Sequence, residues 1–213
     1  MTDAPIVGRD DPPDAAGDEI LDLVFELRGT RLPRDYHALL WAALLERLPW
    51  LADEPGVGVH PIRGSMTDAG LLLSRRARLT LRLPGARGAD ARRLTGQSLT
   101  VEGEQIDIGT ARPRALDPYP TLTAHFVATG AADELEHQET VQKMLEALDV
   151  PLRFICGRMR TVRAGGVPIS GAGVVLHQLR PLQSLLMQRR GLGELRGLGC
   201  GLFLPHKIIS GID

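Results

Sequence analysis

The chain has 213 residues, 43% of them hydrophobic and 24% charged, which fits one large folded domain or two small ones and excludes a wholly disordered protein. Its two cysteines, Cys156 and Cys200, exclude a disulfide scaffold and a four-cysteine zinc site. No signal-peptide pattern and no run of 18 apolar residues occurs, so we expect a cytoplasmic protein without a membrane span.

The net charge of −1 conceals a strong asymmetry along the chain. Residues 1–22 hold seven acidic side chains and one arginine, a net of −6, whereas the other 191 residues hold 24 bases and 19 acids, a net of +5. Residues 1–18 are also rich in proline, alanine and glycine, which predicts a disordered acidic tail. The basic body favours a polyanionic partner.

Hydrophobic periodicity predicts a mixed order of elements in the first half of the chain. Residues 36–48 form a helix with Asp35 as its N-cap, and residues 86–95 form a second, short helix. We expect strands at 19–28, 57–63 and 71–83, and a hairpin at 99–108 that turns at Gly103.

The same order returns after residues 111–120, a segment with three prolines that predicts a linker. Helices are expected at 133–148 and 181–190, the first with an apolar stripe of Leu135, Val141, Leu145 and Leu148. The predicted strands are 121–129, 152–162, 167–179 and 202–209.

Both halves therefore have the order βαββαβ, the ferredoxin-like unit that RNA-recognition motifs share. We predict an α+β protein of two tandem ferredoxin-like domains. The acidic tail is followed by an N-terminal domain at 19–110, the linker, and a C-terminal domain at 121–213.

Common catalytic signatures are absent from the sequence. It has no H-E-x-x-H, no Walker-type phosphate loop, no G-x-S-x-G and no C-x-x-C, and no two histidines are four residues apart. We therefore expect no metal and no cofactor.

A glycine-rich loop separates the last predicted helix from the last strand. Five glycines fall within eleven residues: Gly191, Gly193, Gly197, Gly199 and Gly201. Such a loop either closes a tight corner or presents free backbone N–H groups to a phosphate. His206 and Lys207 follow it and are candidate phosphate contacts.

Arginines form two candidate nucleic-acid contacts. Arg76, Arg78 and Arg82 alternate along one face of a predicted strand, with Arg75 at its edge. Arg158 and Arg160 form a second pair. Each set is either a solvated sheet face or a surface that binds an RNA backbone, and the basic body favours RNA.

Several segments together resemble the RAMP superfamily, in particular the CRISPR-associated endoribonucleases that cut precursor CRISPR RNA. The glycine-rich loop resembles the C-terminal glycine-rich loop of that family. Further similar segments are ILDLVFELRG at 20–29, ERLPWL at 46–51, VGVHPIRG at 57–64, RRARLTLRLP at 75–84 and GCGLFLPHK at 199–207.

The resemblance implies a function and a mechanism. The family cleaves repeat RNA without metal: the ribose 2′-OH attacks the adjacent phosphate, which leaves a 2′,3′-cyclic phosphate and a 5′-OH. A histidine near the start of the first helix moves the proton, and His37 holds that place, with Tyr36 beside it to position the 2′-OH or stack on a base. Members often keep the cut product by its stem-loop and pass it to a multisubunit interference complex.

Other interpretations remain open at this point. In the related subtype the histidine directly follows the aspartate, so the order Asp35-Tyr36-His37 also fits an inactive subunit that only binds guide RNA. His60 is a second candidate for the proton transfer, although a strand histidine before a proline often just faces a neighbouring strand. A third alternative is a ferredoxin-like scaffold that binds proteins or small molecules.

Overall fold

The computed structural model describes residues 19–150, 153–164 and 166–206. Its helices are α1 (Tyr36–Arg47), α2 (Gly88–Ala91), α3 (Glu134–Glu146) and α4 (Pro181–Arg190). Its strands are β1 (Ile20–Gly29), β2 (Arg31–Leu32), β3 (Gly58–Val59), β4 (Gly64–Thr67), β5 (Gly70–Leu73), β6 (Arg78–Pro84), β7 (Ser98–Val101), β8 (Glu104–Ala115), β9 (Leu122–Ala128), β10 (Phe154–Cys156), β11 (Arg160–Ala164), β12 (Val167–Leu176) and β13 (Phe203–Pro205). None of these helices is long and apolar enough to cross a bilayer.

The first unit, β1 to β8, is built on a five-stranded sheet of order β3-β6-β1-β8-β7. Both neighbours of β1 run antiparallel to it, as in a ferredoxin-like unit with one added hairpin strand. Alternate residues of β1, including Leu23 and Phe25, are fully buried against Leu40 and Leu44 of α1. This alternation is the physical reason why the sequence pattern predicts the strand.

The second unit, β9 to β13, repeats the plan with the sheet order β10-β12-β9-β13. Val141 and Leu145 of α3 and Met187 of α4 are fully buried against this sheet. The order βαββαβ therefore occurs twice, and the predicted α+β class with two tandem ferredoxin-like folds is confirmed.

The predicted strand at 71–83 is wrong as a single element. A turn separates β5 from β6, because the Ala77 N–H donates to the Ser74 oxygen at 2.9 Å and the Arg76 N–H donates to the Ser74 hydroxyl at 3.2 Å. β5 then leaves the main sheet and joins a small sheet of order β2-β5-β4. Of the predicted strand at 57–63, only β3 is a strand. The next strand, β4, begins at Gly64 and belongs to the small sheet.

Two further element boundaries and one buried helix position differ from expectation. Residues 111–115 of the predicted linker belong to β8, which pairs with β1 as far as Ala115. Pro113 lies beyond the reach of β7, on an edge that tolerates proline. Leu135 is 68% exposed, and His137 takes the inner position of α3 instead. The predicted strand at 152–162 is split into β10 and β11, and its first residue, 152, lies outside the described residues.

Arg82 is buried and joins the two units, which corrects its interpretation as a surface contact. Arg82 on β6 is 0% exposed and lies opposite Asp22 of β1, which is 2% exposed. The guanidinium donates to both Asp22 carboxylate oxygens at 2.8 and 3.2 Å. Its third nitrogen donates to the carbonyls of Gln188 and Phe203 in the second unit at 2.8 and 2.9 Å. Arg82 therefore stabilises the contact between units.

His60 belongs to the same buried network rather than to a catalytic site. It is 6% exposed, and its Nε2 lies 3.1 Å from the Asp22 carboxylate. Burial by itself raises the pKa of Asp22, but the hydrogen bonds and charges of His60 and Arg82 outweigh it and hold that pKa far below its usual value. Asp22 is thus ionised and paired at neutral pH.

Candidate functional site

His37 is the second residue of α1 and directly follows a buried tyrosine, Tyr36. Tyr36 is only 2% exposed, and its hydroxyl accepts a hydrogen bond from the Ile62 N–H at 2.8 Å. Its ring stacks on the His37 imidazole with centroids 4.1 Å apart and planes at 22°. This corrects the expectation that Tyr36 meets the RNA: it packs inward and supports His37, which remains half-buried.

The charge of one guanidinium of the second unit acts on His37. Arg160, the first residue of β11, is exposed and lies 5.3 Å above the ring of Phe126. Burial lowers the pKa of His37, the charge of Asp35 raises it, and the charge of Arg160 lowers it. The pKa of His125 is likewise lowered, by burial first and then by the charges of Arg160 and Arg63. Two histidines and two arginines therefore share one electropositive region.

A β-bulge places His125 in this region. The pairing of β9 with β12 shifts register between Ala172 and Val174, so that His125 and Phe126 together face Gly173. The His125 carbonyl accepts a hydrogen bond from the Arg160 guanidinium at 2.7 Å. Bulges reorient side chains and are frequent beside active sites.

An open groove of about 350 Å³ runs past the bulge. It is lined by His125, Gly157, Arg158, Met159, Arg160 and Gly173. None of the described residues that line it is acidic, and both arginines of the predicted 158/160 pair are among them. The groove therefore suits an anion with an extended backbone.

The glycine-rich loop lies between the units, and its internal hydrogen bonds correct part of its expected role. The backbone N–H groups of Gly191, Gly199 and Gly201 already donate to the carbonyls of Met187, Arg196 and Phe126 at 2.7 to 3.0 Å. These three glycines cannot present those N–H groups to a phosphate. They have φ values of 65° to 81°, so the loop needs glycine for its turns.

Gly197 has a different role, because it lets the loop approach the helix that carries His37. A Cβ atom built on Gly197 would lie 2.5 Å from the ring of Trp41. Trp41 is four residues after His37 and therefore lies on the same face of α1. The close contact brings the start of α1 toward the second unit. Gly193 is exposed on the outer part of the loop.

The remaining predicted contacts lie away from the groove or outside the description. Arg75, Arg76 and Arg78 are exposed in the turn before β6 and at its start. His206 is exposed, and its N–H donates to the Thr121 carbonyl, four residues before His125 and so roughly 13 Å along the strand. Lys207 lies outside the described residues.

Sequence reasoning missed His125 and Arg63. The only signal for His125 was a histidine inside an otherwise apolar strand pattern. The bulge that orients it depends on register, which the sequence does not display. Among the described residues, no group of three or more His, Cys, Asp or Glu side chains is placed to hold a metal ion.

Comparison with known proteins identifies the family. The family model described as Cas6 Crispr matches residues 21–208. A CRISPR-associated endonuclease Cas6 of Myxococcus xanthus (strain DK1622) is 36% identical over 186 residues, which cover 87% of this chain and 81% of that protein. The chain belongs to the Cas6 family. The resemblance to CRISPR-associated RAMP proteins is thereby confirmed.

Solved structures support the Cas6 fold. A CRISPR associated protein Cas6 superposes with a TM-score of 0.59 at 12% identity, over 89% of this chain and 100% of that one. A Cas6-related protein from Pyrococcus furiosus gives a TM-score of 0.59 at 13% identity, over 90% and 99%. An RAMP protein described as binding different RNA substrates gives 0.58 at 14%, over 86% and 98%. At these identities the likeness concerns the fold alone.

Proposed function

We propose that this Cas6-family protein is an endoribonuclease that cleaves CRISPR repeat RNA in precursor transcripts without a metal ion. Its cleavage proceeds by attack of a ribose 2′-OH on the adjacent phosphate and yields a 2′,3′-cyclic phosphate and a 5′-OH. The observation that carries the proposal is the position of His37, half-buried at the start of α1 and subject to the charge of Arg160, which lines the electropositive groove. The endonuclease name of the 36% identical relative supports the same reaction class.

His37 suits the role of general base. Its pKa is lowered from 6.5, chiefly by burial, so the imidazole is neutral and able to accept a proton at pH 7. The positive end of the α1 dipole attracts a phosphate to the same position. The stacked Tyr36 ring fixes the plane of the imidazole, which reduces the freedom that a base must lose in the transition state.

Arginines supply the charge that the transition state requires. The phosphorane formed by 2′-OH attack carries extra negative charge, and fixed cations stabilise it most where water is partly excluded. Arg160 and Arg158 line the groove, and Arg63 acts on it from the first unit. The guanidinium of Arg160 is held by the His125 carbonyl and the Phe126 ring, so it is oriented before RNA binds.

RNA binding extends beyond the cleavage point. Arg75, Arg76 and Arg78 are exposed on the first unit and provide contacts to the backbone of a repeat stem-loop. Gly193, exposed on the glycine-rich loop, allows the RNA backbone to approach closely. After cleavage the protein retains the 3′ stem-loop of the guide RNA and delivers it to the other subunits of an interference complex.

The alternative is a catalytically inactive Cas6 subunit that only holds the guide RNA. The observation that favours it is the inserted Tyr36, which moves His37 by one position and rotates it by about 100° on the helix. The inward packing of Tyr36 and the stacking of its ring on the His37 imidazole support the active enzyme, because they hold the imidazole in one orientation despite the shift.

Cleavage of a repeat RNA from the adjacent CRISPR array in excess EDTA tests the proposal. The expected products carry a 2′,3′-cyclic phosphate and a 5′-OH, and a repeat with a single 2′-deoxyribose at the cut position is bound but not cut. Binding of both RNAs without cleavage of either would identify the inactive subunit. Failure to bind repeat RNA at low salt would instead favour a scaffold for proteins or small molecules.

A further inference from the structure

Attack by the 2′-OH requires a second proton transfer, which His37 cannot perform at the same moment. While the base removes the 2′-OH proton, the 5′-oxygen leaves as an alkoxide unless an acid protonates it. The acid must lie on the other side of the phosphate from the base. His37 belongs to the first unit, so a group of the second unit that lines the groove beside Arg160 is suited to this position.

Among the other described histidines, position relative to the groove separates one from the rest. His60 and His137 are buried, at 6% and 1% exposure, and have protein partners in Asp22 and Thr129. His206 lies at the far end of the β9–β13 pair. His177 follows β12, where its N–H donates to the Arg153 carbonyl. Only His125 lines the groove and shares the charge of Arg160 with His37.

The backbone around His125 is fixed from both sides. Its own carbonyl accepts from the Arg160 guanidinium at 2.7 Å, and the next carbonyl, of Phe126, accepts from the Gly201 N–H at 2.7 Å. The bulge is therefore tied to the cation of the groove and to the glycine-rich loop. Through Gly197 and Trp41 that loop contacts the helix of His37, so one continuous set of contacts holds both histidines.

Resting on the proposed function, we propose that His125 is the general acid that protonates the 5′-oxygen. The 2′-oxygen forms a bond to phosphorus as the bond from phosphorus to the 5′-oxygen breaks. The 2′-OH proton passes to His37, and the His125 imidazolium gives its proton to the leaving oxygen. Exchange with water then restores both imidazoles, so no further reactant is needed.

Bound RNA provides the protonated form of His125. In the free protein, burial and the charges of Arg160 and Arg63 favour the neutral ring. A phosphate placed in the groove adds negative charge beside this ring and offsets the two arginines, which favours the imidazolium. The acid is thus formed where and when the substrate is bound.

A sulfur-substituted substrate tests this assignment directly. When sulfur replaces the bridging 5′-oxygen, the leaving group is a thiolate, whose pKa of about 8.5 lets it leave without a proton. We expect His125→Ala to slow single-turnover cleavage of normal repeat RNA by about 10²- to 10⁴-fold, the usual contribution of such a group, with RNA affinity unchanged. On the sulfur substrate, His125→Ala should cleave at nearly the wild-type rate, whereas His37→Ala should remain slow.

His177→Ala is the matched control, since it removes an imidazole from the same unit away from the groove. Normal cleavage by His125→Ala, or an equal loss on both substrates, would overturn the assignment. Failure of the wild type to cut normal RNA would refute the proposed function itself, and so the two failures are distinguishable. Circular dichroism checks that each variant is folded.

Discussion

Replacing Arg82 with methionine should weaken the protein more than any exposed arginine replacement. Arg82 is fully buried and makes four hydrogen bonds, two to Asp22 and one each to the carbonyls of Gln188 and Phe203. Methionine keeps most of the apolar stem but removes every donor. Two carbonyls of the second unit and part of a buried carboxylate then lose their partner.

The expected loss follows from these contacts. Removing one partner of a buried ion pair costs about 3–5 kcal/mol. Asp22 retains His60 at 3.1 Å and Arg114 at 2.8 Å, which limits the cost on the carboxylate side. The two carbonyls that lose this donor offset that reduction and keep the loss within the same range. We therefore expect about 4 kcal/mol, a large part of the total stability of a domain of this size.

Urea denaturation followed by far-ultraviolet circular dichroism measures this loss. Arg78→Met is the matched control, because Arg78 lies four residues earlier on the same face of β6 but is exposed; its change should stay within about 0.5 kcal/mol. A loss below about 1 kcal/mol for Arg82→Met would refute the reasoning, since it would mean that the network contributes no more than one ordinary hydrogen bond.

Three further predictions concern charge and packing. The cleavage rate should fall as the pH drops below the lowered pKa of His37. Arg160→Ala removes a charge that lowers this pKa, so the fall should move to higher pH. A pH–rate profile unchanged by the variant would contradict the electrostatic link. Gly197→Ala should lower the free energy of unfolding by about 1–3 kcal/mol in urea denaturation and slow cleavage, because the new Cβ meets Trp41. Gly88→Ala is the control: Gly88 has open space around it and a φ of −59°, so this variant should be neutral or stabilising by up to about 1 kcal/mol. Equal effects of the two variants would refute the packing argument. The stabilising effect of the Asp22 carboxylate is present above the ordinary aspartate pKa of 3.8 and is lost as the pH falls below that value. The difference in unfolding free energy between wild type and Asp22→Asn should therefore shrink below pH 3.8. A difference that does not depend on pH would contradict this prediction.

The order of elements could be predicted from the sequence because each element carries its own local signal. Alternating apolar residues mark β1, and the helical spacing of Leu40 and Leu44 marks α1. The βαββαβ order follows from counting such signals. The turn at Ser74–Ala77 was missed, since it interrupts an apolar run without proline or glycine.

The role of Arg82 could not be predicted, since alternation shows that residues share a face but not what covers it. Arg78 and Arg82 do lie on one face of β6, yet the second unit packs over Arg82 alone. Long-range packing therefore turned one expected surface contact into a buried link.

The candidate site was predictable only where it depends on local position. His37 at a helix start is a local feature, as is the glycine content of the loop. His125 depends on strand register and on a bulge, and Gly197 depends on the approach of α1 from the other unit. Contacts between distant segments are set by the packing of the whole chain, which periodicity does not contain.

Single-turnover cleavage of repeat RNA in EDTA by wild type, His37→Ala and the control His177→Ala tests the central claim most directly. We predict that the wild type and the control cut the RNA, and that His37→Ala binds it with the same affinity but cuts it at least about 10²-fold more slowly. Equal cleavage by His37→Ala would contradict the account, because the reaction would then not depend on this histidine.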